Sequence, residues 1–167
     1  TIGIGIFASG VERLQQRLQQ FGYQLLIATT QYDASKEMEA VRALIERGVD
    51  GVQLVGQQHD PRIYALLKAR NIPFVNTYQF DPVNEHPSIG FDNYRSAWML
   101  MDHLLDLGHR EIGIITSPTQ LNDRIAARLT GMKASLEARG IDQPDSRVIE
   151  VAHRIEAGRT AARQLMQ

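Results

Sequence analysis

The chain has 167 residues, 43% hydrophobic and 22% charged, with a formal net charge of −1 and no cysteine. That length buries a core in one or two domains, while the missing cysteines exclude disulfides, thiol catalysis and thiolate metal sites. The near-neutral charge gives no electrostatic footprint for nucleic acid, and no apolar run approaches the ~18 residues of a membrane helix.

The first element reads two ways. Taken literally, residues 2–7 (IGIGIF) form a strand that turns through Ala8-Ser9-Gly10 into a helix capped by Ser9, with Glu12 completing a capping box. Phe7, Val11, Leu14, Leu18 and Phe21 step at helical spacing up to Gly22, and LLIA at 25–28 follows as a strand. Ser35 with Glu37 starts a second helix, with Met38, Val41, Leu44 and Ile45 as its stripe, ended at Gly48. VDGVQLVG supplies the next strand. Asp60-Pro61, a capping Asp before Pro in the first turn, opens a helix with Ile63, Leu66 and Leu67 inside, closed at Asn71.

After the strand in NIPFVNT the rhythm breaks. Residues 78–87 (YQFDPVNEHP) carry two Pro and no apolar period, and are read as a crossover between two lobes, 1–90 and 91–167. SIGF and Asp92-Asn93 then lead into a helix with Ala97, Trp98, Met101, Leu104 and Leu105 on its buried side, closed at Gly108. A strand at 112–115, a helix striped by Ile125, Leu129, Met132 and Leu136, Gly140, a strand in RVIEV and a last helix complete the chain. The punctuating Gly and Asn residues accept the left-handed conformation that ends helices. Alternating strands and helices force parallel pairing and predict a doubly wound α/β fold, its strands apolar on both faces.

Ligands in such sheets bind beyond the carboxyl ends of the strands. The richest of those segments is TSPTQLNDR at 116–124, leading into a helix with Arg124 and Arg128. Either it holds hydroxyls or carboxylates through arginine's planar fork, or it is a capped helix start with solvated arginines. No reaction can be assembled. GIGIF at 3–7 is not a dinucleotide fingerprint, and phosphate-loop, G-x-S-x-G and H-E-x-x-H motifs are absent. The five His show no metal-ligand spacing, and Asp102-His103 are helix neighbours about 100° apart. No cofactor and no metal are expected, and no basic stretch precedes an apolar one as in a secretion signal, so a reducing cytoplasm is the expected setting.

GYQLLIATTQYDASKEMEAVRALIERGVDGVQLVG, RNIPFVNT, SIGFDNYRSAWMLMDHLLDLGHREIGII and NDRIAARLTGMKASLEARGI, in this order along nearly the whole chain, resemble the effector-binding domain of LacI/GalR-family transcriptional regulators. Periplasmic sugar-binding proteins share the fold and much of the pattern. The resemblance implies two periplasmic-binding-protein-like lobes, the second incomplete where the chain stops at RTAARQLMQ. It implies a small effector (sugar, sugar acid or nucleobase) in the cleft, a homodimer, and operator DNA read by a helix-turn-helix absent from this chain.

Residue by residue, the resemblance places Arg128, three before Gly131, on the arginine aimed at the effector, with Asn122 and Arg124 beside it. His153 falls where an aromatic walls the cleft, Phe7 on a stacking aromatic and Ile89 on an apolar cleft position. Tyr78 stands where sugar binders often have Asp, which removes a usual hydroxyl acceptor. The resemblance also puts Phe7 already inside the first helix, with a ligand-contacting loop missing before it. Arg128→Ala is expected to weaken effector binding and leave the ligand-free melting temperature nearly unchanged, with Arg139 as the control outside the site.

Overall fold

The computed structural model describes residues 5–30, 33–83, 85–120, 122–142 and 147–167. They form two compact units, residues 1–50 with 60–72 and residues 51–59 with 73–167.

The first unit is helical: α1 (Gly5–Gln19), α2 (Ala34–Glu46) and α3 (Pro61–Ala69). Helix α1 runs through Ile6 and Phe7, so the literal reading of a strand at 2–7 and a Ser9 cap fails over residues 5–10, and residues 2–4 lie outside the described ones. The helical spacing of Phe7, Val11 and Leu14 extends upstream past Ser9, and no proline interrupts it. Residues 25–28 join no ladder among the described residues, and Leu26 and Ile27 are 46% and 49% exposed. A strand exists only with a partner. The cap of α2 is Asp33, whose carboxylate accepts the Ser35 N–H at 3.0 Å and also the Ser35 hydroxyl. Two capping residues compete there, and the charged acceptor nearer the chain start wins.

Helix α3 starts as expected, with Asp60 accepting the Arg62 N–H at 2.9 Å and Pro61 following. The Arg62 guanidinium also bonds that carboxyl and holds it down to about 2. The charged cap therefore stabilises the helix above the ordinary carboxylate range, and the contribution is lost as pH falls toward 2. Ile63 and Leu67 are fully buried on α3 and Val41 nearly so on α2. Each such side chain contributes about 1.5–3 kcal/mol relative to exposure.

The second unit holds both sheets. β1 (Val52–Val55), β2 (Phe74–Thr77) and β3 (Ser88–Ile89) run parallel in that order, with Val52 opposite Phe74 and Asn76 opposite Ser88. β4 (Ile114–Thr116) and β5 (Val148–Glu150) form a second parallel pair, Ile114 opposite Val148. Parallel neighbours joined through helices are what strict alternation demands. All the punctuating residues adopt positive φ: Gly22 81°, Gly48 74°, Asn71 54°, Gly108 92° and Gly140 66°.

Helices α4 (Asn93–Asp106) and α5 (Asp123–Ala138) pack together over β4 and β5, and α6 (Ile155–Leu165) buries Ala161. Met101, Leu105, Ile114 and Leu136 form the core there, with Leu129, Met132 and Val148 against them. One departure concerns the strands. Ile114 is buried, but Ile115 on the other face is 40% exposed beside an open apolar hollow of 190 Å³ lined by Leu100, Leu104, Ile112 and Met132. Arg139 is more than a surface residue: it bridges Asp102 at 2.5 Å and Asp106 at 2.7 Å, tying the end of α5 to α4.

Candidate functional site

The site grows from α5, which carries two stripes. Leu129, Met132 and Leu136 face the core of the second sheet. One residue back in register, Arg124, Arg128, Gly131 and Ser135 recur at 4, 3 and 4 and face elsewhere. At Gly131 the backbone of α5 lies directly against α4, since a Cβ there would strike the Tyr94 carbonyl and approach the Trp98 nitrogen to 3.2 Å. Ser135 is completely buried.

Asn122 caps α5, its Oδ1 accepting the Ile125 N–H at 3.3 Å. It is buried, so its role in the structure is to start the helix. Arg124 is 8% exposed, and its Nη1 donates to the Asp123 carboxylate at 2.8 Å and to the Val55 carbonyl at 3.1 Å. A buried guanidinium needs such partners. This arginine therefore spends donors on the frame of the site.

Arg128, one turn on, donates from Nη1 to Asn93 Oδ1 at 2.5 Å. Asn93 is completely buried at the start of α4, behind its capping neighbour Asp92, whose Oδ1 accepts the Arg95 N–H. The two N–H groups of its amide reach the Tyr78 carbonyl at 2.9 Å and Gln79 Oε1 at 2.6 Å, with the Phe91 carbonyl sharing one of them at 3.3 Å. One side chain thus joins the loop after β2, the start of α4 and the middle of α5. Tyr78 has φ 65°, a left-handed conformation that a bulky residue adopts only when its surroundings impose it. Its N–H donates to the Ile89 carbonyl at 3.0 Å, and its side chain is 37% exposed.

Ile89 itself is 68% exposed. His153, exposed beyond β5, meets Ser117 beyond β4 through Nδ1 at 3.1 Å, while Thr119 donates to Glu150 at 3.0 Å. Phe7 lies in α1 of the other unit, and its side chain falls outside the described residues. The structure thus links Tyr78 and Arg128 through Asn93 and ties Tyr78 to the Ile89 backbone, sets Asn122 and Arg124 on the same helix start, and places His153 beyond the ends of β4 and β5. The Arg128–Asn93 bond bears on the Arg128→Ala expectation: the substitution leaves the buried Asn93 Oδ1 without this donor, so a loss of stability in the ligand-free protein is now the expected result of a melting experiment.

Gly56 and Asp123 lie in segments beyond strand ends where ligands are expected, and Asn93 follows the capping Asp92, but nothing in the sequence shows the bonds these three residues make or the space they fill. Asn93 had a signal: an asparagine inside a helix start that Asp92 already caps has no local reason to be there. Chemically the ensemble offers fixed donors and acceptors for a polar ligand. Among the described residues no three His, Cys, Asp or Glu converge to hold a metal, and no helix is long and apolar enough to cross a membrane.

The family model described as periplasmic binding proteins and sugar binding domain of LacI family matches residues 5–167. An uncharacterized HTH-type transcriptional regulator of Streptomyces limosus is 30% identical over 97% of this chain and 48% of its own length. The HTH-type transcriptional repressor PurR of Escherichia coli O1:K1 is 26% identical over 96% of this chain and 47% of its own. The chain spans about half the length of these curated relatives. The crystal structure of a LacI family transcriptional regulator from Silicibacter pomeroyi superposes with a TM-score of 0.87 at 26% identity, covering 100% of this chain and 62% of the other. The doubly wound, periplasmic-binding-protein-like fold is thereby established, as a partial domain, and the chain belongs to the family of periplasmic binding proteins and LacI-type sugar-binding domains.

Proposed function

We propose that this chain is the effector-sensing part of a LacI/GalR-type transcriptional repressor that acts in the cytoplasm as a homodimer. A sugar, sugar acid or nucleobase binds between lobes formed by residues 1–90 and 91–167. Operator DNA is read by a helix-turn-helix outside these 167 residues, and effector binding shifts the balance of lobe arrangements that the reader domain senses. The relatives are regulators, which favours this reading over a transporter's solute-binding component.

The observation that carries it is the buried Asn93 junction, which fixes Arg128 and the strained Tyr78 beyond the carboxyl end of β2. Arg128 supplies charge-assisted bonds to the effector, and Tyr78, Ile89 and His153 wall it. Asn122 and Arg124 hold the frame. A ligand that binds only the folded state raises its stability by mass action, by about 2.7 kcal/mol at a hundredfold excess over Kd. A thermal-shift screen of sugars, sugar acids and nucleobases at millimolar concentration is therefore expected to show a rise of several degrees for one chemical class. A flat response across the panel on the dimeric regulator would refute the reading.

A further inference from the structure

The first sheet and the helices of the second are joined at a second place, far from Asn93 in sequence. Gly56 ends β1 with φ 98°, and the next two N–H groups, of Gln57 and Gln58, turn toward the start of α5. Asp123 Oδ2 accepts both, at 2.5 Å and 3.2 Å, across 66 and 65 residues of chain. Successive N–H groups after a left-handed residue form a concave cradle for an anion, and here the anion is the protein's own carboxylate. Its other oxygen takes the Arg124 backbone N–H at 2.9 Å and Nη1 at 2.8 Å, and that same Nη1 reaches back to Val55. A Cβ at Gly56 would collide with Arg124 Nη1 and with Asp123, so this glycine is required twice, for its φ and for the close approach.

We infer that Asp123 is a clasp that closes the mouth of the effector cleft from within the protein. It ties the end of β1 to the start of α5 when no effector is present, and so sets the fraction of molecules already in the closed arrangement. Its side chain is 22% exposed, so solvent reaches it and the bond can open and reform. An effector that binds the closed form gains affinity in proportion to that fraction, which makes the clasp a control on sensitivity. This role rests on the cleft reading above, but its test needs no ligand.

The chain has no cysteine, so Gln53→Cys on β1 and Glu137→Cys on α5, both exposed, give a clean pair of spin labels. Electron–electron double resonance on the ligand-free protein should show one short, narrow distance. Asp123→Ala should raise the long-distance fraction at least about tenfold, the effect of losing charge-assisted bonds. Asp106→Ala, which removes an ion pair of 2.7 Å between α4 and α5, should leave the distances alone. If Asp123→Ala does not fold, Asp123→Asn replaces it and should shift the same population less far. A distribution superimposable on wild type, or an equal widening from Asp106→Ala, overturns the clasp. A silent ligand screen would touch only the effector reading and leave these distances as they are.

Discussion

Asn93→Ala is expected to lower the stability of the ligand-free protein by about 3–4 kcal/mol, a fall in melting temperature of roughly 6–16 °C for a chain of this size. The substitution removes an amide that is completely buried and bonded to Tyr78, Gln79, Phe91 and Arg128. Each buried group left without its partner costs about 1–3 kcal/mol, more when it is charged, and relaxation of the strained Tyr78 returns only part of that. Urea unfolding checks the figure. A loss below about 1 kcal/mol would mean that water replaces the amide, and that the junction is no more than a solvated surface contact.

Gly131→Ala should cost about 2–3 kcal/mol, against the preference of a helix interior for Ala over Gly by about 1 kcal/mol. The obstacle is backbone, the Tyr94 carbonyl and the Trp98 nitrogen of α4, which cannot swing aside as a side chain would. To make room, α5 must move off α4 and loosen Met101, Leu105 and Leu136 together. Gly158→Ala in α6 is the comparison, because nothing lies within 4 Å of its added carbon. It should be neutral or stabilising by up to about 1 kcal/mol. If both variants melt alike, the close approach of α4 and α5 is not a fixed feature of the fold.

What the sequence discloses here divides along a physical line. Local rules wrote themselves into it: Asp60 before Pro61, Asp92 before α4, the left-handed Asn71 and Gly108, the stripe Leu129–Met132–Leu136. Each depends on residues within a turn or two. The failures are non-local. Residues 25–28 have strand composition, but composition supplies no neighbour to pair with. The second stripe on α5 is hidden because Arg124, Arg128 and Ser135 are polar, and an arginine held by a partner 69 or 35 positions away looks like a solvated one. Asp123 reads as an ordinary first-turn carboxylate until Gln57 and Gln58 appear beside it. The resemblance to regulators reached Arg128 and Tyr78, while the amide that joins them emerged only from the structure.

The effector-sensing role requires Arg128 to meet the effector. Titration calorimetry of the most stabilising compound from the screen, into wild type, Arg128→Ala and Arg139→Ala, tests it most directly. A charge-assisted contact in a partly buried setting is worth about 1.5–3 kcal/mol, so Arg128→Ala should weaken binding roughly tenfold to a hundredfold. Arg139→Ala loses its bridges to Asp102 and Asp106, exposed ion pairs that contribute little in water, but should bind as wild type does. Equal affinity for wild type and Arg128→Ala, or an equal loss for Arg139→Ala, would contradict the assignment of the cleft.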